Sequence, residues 1–336
     1  GAFHASNAGT DTTGAWIMGG TIRHHHLFAL DDDLELSYLS SDTQERQSFQ
    51  AKYLLSLLYP DILGFGLQVG YSMYDASSLA LTRVDFEGQT EMFDLSLQWK
   101  PLELEKTKHQ WTFDFGIKAE ILEAQNSLVS GRASALLLTP RLAAVLQTKS
   151  SHFRTLSKFE IRRNLQGISA LDRTLLGGVN AMDEATRLKI SHIEYVQLGK
   201  WMIENFSMDE HGFNLGSHLL VTRFSADLAL ESGRYLPQHQ FIGGGTGSVR
   251  GYPESPIAGD SGYSVSLEYR FPMPEINVGE EIGQVKGTLV PFLDWAETFV
   301  NDPLPYESDR SILGAGIGCE IEFSSGLQAR LDFAKP

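Results

Sequence analysis

Several kinds of residue are scarce in this sequence, and each scarcity excludes a class of protein. The 336 residues include one cysteine, Cys319, which excludes a disulfide framework and every metal or redox motif that needs several cysteines. No apolar run approaches the roughly 18 residues of a membrane-spanning helix; runs such as residues 135–138 are only a few residues long. A helical membrane protein is therefore excluded. A β-barrel is not, because alternate residues facing lipid leave the average hydropathy unremarkable.

Basic residues are outnumbered as well. Lys and Arg total 27 against 42 Asp and Glu, which gives a formal net charge of −15. A nucleic-acid-binding protein needs a basic face that releases counterions, so we expect no nucleic-acid partner. The chain does not begin with methionine, and no charged segment is followed by an apolar one at its start. We therefore expect a mature protein or a fragment.

What the sequence does have is alternation of apolar and polar residues from end to end. In residues 111–121, every odd position is apolar and every even position is polar, charged or glycine. A period of two predicts β-strands, and the best segments keep it for nine to eleven residues. Tilted membrane strands need about 9–11 residues, whereas strands of soluble sandwiches usually have about 5–6. The pattern favours a transmembrane β-barrel over a soluble all-β protein, which is the alternative.

The alternation predicts fifteen strands, with two long joins at residues 166–185 and 232–260. The strands cover residues 13–24, 32–41, 48–58, 63–74, 77–86, 89–100, 109–123, 133–148, 151–165, 186–206, 213–231, 261–271, 284–295, 310–323 and 325–333. Bacterial single-chain barrels have an even number of strands, and an open last strand would present unpaired backbone groups to lipid. We therefore expect residues 1–336 to be one all-β, antiparallel transmembrane barrel domain of the 16-stranded type, with the last strand missing.

The join at 232–260 is rich in glycine and proline. Three consecutive glycines at 243–245 allow a tight turn and a close approach to another surface, while Pro253 and Pro256 stiffen the far side. Arg250 stands at the apex of this loop. A guanidinium in such a position indicates a fixed carboxylate partner; the alternative is a solvated surface arginine.

Two short motifs resemble those of the Omp85 superfamily. Residues 249–252, Val-Arg-Gly-Tyr, match its loop motif, and the flanking residues 240–244 and 259–262 match the surroundings of that motif. The second motif is Phe292-Leu293-Asp294, in which Phe292 and Asp294 share one face of the strand predicted at 284–295. The resemblance implies that the loop 232–260 folds into the barrel and that Arg250 pairs with Asp294 on the inner wall. It implies Val249, Arg250, Gly251, Tyr252, Phe292 and Asp294 as the functional residues.

Within that superfamily the sequence is most similar to the two-partner secretion transporters, the exporters of haemolysin and filamentous haemagglutinin. The similarity lies in residues 259–262, in the opening strand and in residues 27–32. It implies a bacterial outer-membrane protein that secretes an unfolded partner polypeptide. The alternative is a barrel-assembly or surface-antigen member of the same superfamily, which inserts outer-membrane proteins. The periplasmic polypeptide-transport-associated (POTRA) domains that precede the barrel in this family are absent from residues 1–336.

Other candidate sites are weaker. Three adjacent histidines, 24–26, point to alternating faces of a strand and therefore do not converge on a metal ion. The glycine-rich segment 243–248 lacks the lysine and the following helix of a phosphate-binding loop. Acidic residues on the predicted inner face are spread evenly, as in a hydrated barrel interior, and no set of residues indicates a membrane-barrel hydrolase. We expect no metal, no cofactor and no enzymatic activity.

Overall fold

A computed structural model gives the fold of the chain. It describes residues 1–336 apart from 11–13, 29–30, 59–61, 77–85, 102–107, 127–130, 166, 177–179, 183, 200–217, 278–283, 306 and 326. Among the described residues no helix has the length and apolar character needed to cross a membrane.

Strands make up most of the structure. They are β1 (Ala2–Ser6), β2 (Ile17–His25), β3 (Asp32–Ser41), β4 (Arg46–Leu58), β5 (Leu63–Ala76), β6 (Phe86–Trp99), β7 (His109–Asn126), β8 (Gly131–Lys149), β9 (Phe153–Arg163), β10 (Thr186–Gln197), β11 (Leu219–Ala229), β12 (Phe241–Gly243), β13 (Ile257–Gly259), β14 (Ser261–Pro272), β15 (Ile276–Asn277), β16 (Gln284–Phe299), β17 (Arg310–Phe323) and β18 (Gln328–Lys335). One short helix, α1 (Ala170–Leu175), lies between β9 and β10.

These strands form one large antiparallel sheet of 16 strands, in which neighbours in sequence are neighbours in space. Fifteen strands follow one path from β1 to β18, and the two-residue β15 pairs with β16 beside it. A separate hairpin of β12 and β13 lies in the join between β11 and β14. Among the described residues, β1 pairs with β2 and β18 pairs with β17.

The predicted strands agree with this sheet. Every one overlaps a strand of the structure, although for 77–86 the overlap is only Phe86, the first residue of β6, and residues 77–85 lie outside the described part of the chain. The segment predicted at 186–206 is shorter, because β10 ends at Gln197 and the next two residues are not in a strand. The sequence did not predict β1, β12, β13 and β15, since segments of two to five residues are too short for alternation to be recognised.

The two faces of the sheet are inverted relative to those of a soluble protein. Large apolar side chains such as Phe115, Ile117 and Leu293 are exposed on the outer face, while charged side chains such as Asp114 and Asp294 are buried on the inner face. The inner face also curls around an internal cavity lined by residues from β10, β14 and β18. The protein is therefore a transmembrane antiparallel β-barrel with a polar interior, as predicted.

Both long predicted joins lie at the same edge of the barrel, which we call the loop rim; the opposite edge is the turn rim. The join between β9 and β10 folds inward, and α1 packs with Leu236 against apolar side chains of β7 and β8. The buried cluster contains Leu122, Ala124, Ala133, Ala135, Leu137, Ile168, Leu175, Leu176, Ala181 and Leu236. The inner face near the loop rim is therefore apolar and covered, whereas further toward the turn rim it is charged.

Candidate functional site

The join between β11 and β14, residues 230–260, enters the barrel from the loop rim. A 3-10 turn at Pro237–His239 is followed by the hairpin of β12 and β13, which packs against β14 and β16. Residues 244–256 form the tip of this loop. Gly244 and Gly245, at the start of the tip, have φ values of 114° and 72°, a conformation that glycine adopts without strain.

The base of the loop is fixed by buried hydrogen bonds to Asp260, which is fully buried. Its carboxylate accepts the backbone N–H of Tyr235 at 2.6 Å and that of Asn301 at 2.8 Å. Arg234 forms a bidentate ion pair with Glu307. The hydrogen bond from Arg234 lowers the pKa of Glu307. The loop therefore contains a second guanidinium besides Arg250, and this one ties the loop to the join between β16 and β17.

The tip of the loop is held by Arg250, whose guanidinium meets Asp294 on the inner face of β16. Arg250 Nε donates to Asp294 Oδ2 at 2.7 Å, and Nη2 donates to Oδ1 at 2.8 Å. The backbone N–H of Arg250 also donates to Oδ2, at 3.1 Å. The contact is thus bidentate, the strongest arrangement for this pair of groups. Burial alone would lower the pKa of Arg250, yet the hydrogen bonds to Asp294 hold it above its ordinary value.

Two further acids complete the surroundings of Arg250. Its Nη1 donates to Glu268 Oε1 on β14 at 2.8 Å and to Asp332 Oδ2 on β18 at 3.3 Å. Glu268 also receives Arg330 at 2.8 Å and Arg223 at 3.1 Å. Because its side chain is only 2% exposed, Glu268 is the centre of a buried network that joins the loop to strands β11, β14 and β18.

An aromatic ring and a glycine complete the contacts between the loop tip and the inner wall. The guanidinium carbon of Arg250 lies 3.5 Å from the centre of the Phe292 ring, a cation–π contact. On the adjacent strand, the backbone carbonyl of Arg250 lies so close to Gly314 that no side chain fits between them. Val249 is fully buried against Ile257 and Ala296, and Tyr252 packs beside them.

The structure therefore brings all six predicted residues together at one place. Gly251 has a φ of 96°, and a Cβ there would lie 2.8 Å from the backbone of Lys335 in β18. The sequence did not single out Glu268 or Asp332 as partners of Arg250, because many inner-face acids look alike in an alternating pattern. The functional role of the six residues stays a prediction.

A second contact ties the tip to the opposite flank of the barrel. The carboxylate of Glu254 forms an ion pair with Arg46 of β4, and its backbone N–H donates to the carbonyl of Ala8, just after β1, at 2.6 Å. Glu254 therefore contacts β4 and the segment after β1, while Gly251 lies beside β18 at the other end of the sheet. No motif or pattern predicts the pair of Arg46 and Glu254, which are 208 residues apart.

The histidines at 24–26 do not converge on one point. His25 contacts Asp33 on the neighbouring strand, and all three are exposed at the turn rim. Among the described residues no group of three or more His, Cys, Asp or Glu is arranged to hold a metal ion.

Residues 40–336 match the Omp85 superfamily domain. No curated protein sequence matches the chain. The structure is similar to that of CdiB from Escherichia coli, with a TM-score of 0.76 at 15% identity, over 99% of this chain and 57% of that one. For CdiB from Acinetobacter baumannii the TM-score is 0.66 at 14% identity, over 99% of this chain and 58% of that one.

The structure is also similar to that of BamA from Haemophilus ducreyi lacking POTRA domains 1–3. The TM-score is 0.57 at 14% identity, over 99% of this chain and 65% of that one. At identities this low the three similarities show a common fold. The chain spans less than two thirds of the length of each of these proteins.

Proposed function

The chain belongs to the Omp85 superfamily and is an outer-membrane protein, and from that premise we propose that it exports an unfolded partner polypeptide across the bacterial outer membrane. The proposal assigns no catalytic step to the protein. No nucleotide drives the transport in this proposal, and folding of the partner outside the cell biases its direction.

The observation that carries the proposal is the likeness to CdiB. CdiB proteins are two-partner secretion transporters, and their TM-scores of 0.76 and 0.66 exceed the 0.57 of BamA. Residues 259–262, which resemble those transporters in sequence, lie at the base of the loop, where β13 leads into β14. Fold and motif therefore favour the same branch of the superfamily.

In this proposal Arg250 keeps the loop seated in the lumen. Its contacts to Asp294 and Glu268 fix the tip at the inner wall, and Asp260 fixes the base. The tip then has one defined position, which sets the shape of the water-filled space left beside it. A polypeptide in transit passes through that space.

The test is export into the medium. The protein is expressed in the outer membrane of a Gram-negative host together with candidate secreted proteins encoded next to its gene. We expect one of them to appear outside the cell only when the barrel is present. If the barrel is folded in the membrane and every such partner stays in the periplasm, the proposal is wrong.

The alternative is insertion of other outer-membrane proteins, which the likeness to BamA favours. Expression in a host depleted of its own barrel-assembly protein separates the two functions. An assembly protein restores folded porins in the outer membrane, whereas an exporter leaves porin levels unchanged and releases its partner.

A further inference from the structure

Three cavities follow one another along the inner face of β10 and β11, from the turn rim to the loop rim. The first, of about 220 Å³, lies at the turn rim beside Tyr195, Gln197 and Leu219. The middle one has about 690 Å³ and the third, nearest the loop rim, about 340 Å³. At roughly 30 Å³ per water molecule, the middle cavity alone has room for about 20 waters.

The loop bounds the middle and the third cavity on the side opposite β10 and β11. The middle one is bounded by the loop tip from Thr246 to Pro253, and the third by residues 240–242. Ser191 and Ser225 line both cavities, so the two adjoin along the wall. The middle and third cavities therefore follow the side of the loop, and the first continues along β10 and β11 toward the turn rim.

Three serines, which have small polar side chains, lie in one row across this wall. Ser191 of β10, Ser225 of β11 and Ser264 of β14 are direct cross-strand neighbours, and all three face the middle cavity. A serine hydroxyl donates one hydrogen bond and accepts two. Such a row can bind peptide groups of a passing chain whatever its sequence.

The charges along the same wall are arranged asymmetrically. In three ion pairs the base is exposed to the cavity and the acid is buried behind it. Their side-chain exposures are 41% for Lys158 against 9% for Glu160, 42% for Lys189 against 6% for Asp227, and 36% for Arg223 against 2% for Glu268. The path therefore presents a basic face although the whole chain carries a net charge of −15.

We propose that the exported polypeptide travels along this wall, between β10 and β11 on one side and the seated loop on the other, and that the basic face favours acidic over basic segments. The inference rests on the proposed export function. From Gln197 to Lys189 the path follows nine residues of β10, and the eight steps between them span about 26 Å at roughly 3.3 Å per residue. About eight residues of extended polypeptide occupy it at one time.

The charge of the path is tested without any partner. In a Cys319→Ser background, Ser225→Cys is treated with a negatively charged and a positively charged methanethiosulfonate reagent, and each rate is divided by that of a free thiol. We expect a preference of about three- to tenfold for the negative reagent, since the bases of these ion pairs are exposed to the cavity while their acids are buried behind them. Changing Lys158 and Lys189 to Gln is expected to remove most of that preference.

The control is Ser72→Cys on the inner face of β5, away from the path. An equal preference at Ser72 and Ser225, or a preference that survives the two Lys→Gln changes, contradicts the basic face. Because this experiment needs no substrate, it is decided even if the protein exports nothing.

The route is tested by cross-linking a partner halted in transit. A partner with a single cysteine is expected to form a disulfide with Ser225→Cys at least fivefold more than with Ser72→Cys. A loop that leaves the lumen would remove the boundary between the two sides, and both positions would then cross-link equally. That result overturns the route, while release of the same partner without the halt still establishes export itself.

Discussion

Two arginines, one on a strand of the inner wall and one on the loop that meets it, make similar contacts to acids but connect different parts of the molecule. Arg141 of β8 reaches over Gly116 to two acids, with Nη2 at 2.8 Å from Asp94 and Nη1 at 2.6 Å from Asp114. Arg250 likewise meets several acids at 2.7–3.3 Å. The side chains are similarly buried, 15% exposed for Arg141 and 11% for Arg250.

The difference lies in what each contact holds. Arg141, Asp114 and Asp94 stand on β8, β7 and β6, which are already joined by continuous backbone ladders. Arg250 stands on a loop, and its contacts to the wall hold a segment that no backbone ladder fixes at the tip. The same chemistry therefore reinforces a wall in one place and positions the tip of a loop in the other. Export and barrel stability should separate between the two sites.

The largest effect on export is expected from Arg250→Ala. Removing one partner of a buried ion pair costs about 3–5 kcal/mol, less in a hydrated lumen. A cost of about 2 kcal/mol would lower the occupancy of the seated loop roughly thirtyfold. We expect export per folded barrel to fall at least tenfold, while the barrel still inserts and still shows heat-dependent migration on gels.

Arg250→Lys is the matched control, because it keeps the positive charge but removes the planar guanidinium group. Lysine keeps the positive charge but cannot make the bidentate contact to Asp294, so partial recovery of export is expected. Export at the wild-type rate by Arg250→Ala would show that the seated tip is not needed.

A smaller loss is expected from Asp294→Ala. The guanidinium then loses its bidentate partner but keeps Glu268 and Asp332, so the loop stays partly seated. We expect export to fall about tenfold or less, with insertion unchanged. A loss larger than that of Arg250→Ala would mean that Asp294 acts through another group than Arg250.

Gly314→Ala tests whether the loop tip must lie in close contact with β17. The new methyl group would collide with the backbone carbonyl of Arg250, and overpacking of this kind costs about 1–3 kcal/mol. At the lower end of that range, about 1 kcal/mol, we expect roughly fivefold less export with an unchanged unfolding temperature. Gly116→Ala is the matched variant in the other region, where the methyl meets the flexible Arg141 side chain at 2.8 Å; it should lower stability and leave export unchanged.

The sequence predicted the long strands because an alternating pattern depends only on nine or more consecutive residues. It also led to Arg250 and Asp294, since both lie in short recognisable motifs. The role of Glu268 and the contact between Arg46 and Glu254 depend on which distant strands the loop reaches. No local pattern encodes that.

The basic face along β10 and β11 could not be predicted from the sequence either. Lys189 and Asp227 both fall on the inner phase of their strands, and alternation assigns them the same environment. The structure buries the acid and exposes the base because neighbouring arginines surround Asp227 from two strands. Relative exposure within a pair is a property of packing.

The smallest effect on export is expected from Arg141→Ala, and that result completes the comparison. Its removal leaves Asp94 and Asp114 without their shared cation, so the free energy of unfolding should fall by about 1–3 kcal/mol in a hydrated lumen. The backbone ladders of β6, β7 and β8 remain, and the loop does not touch Arg141. We expect a lower temperature of heat-dependent migration and export within twofold of wild type. If instead Arg141→Ala reduced export as much as Arg250→Ala, the two clusters would be equivalent, and the seated loop would have no special part in transport.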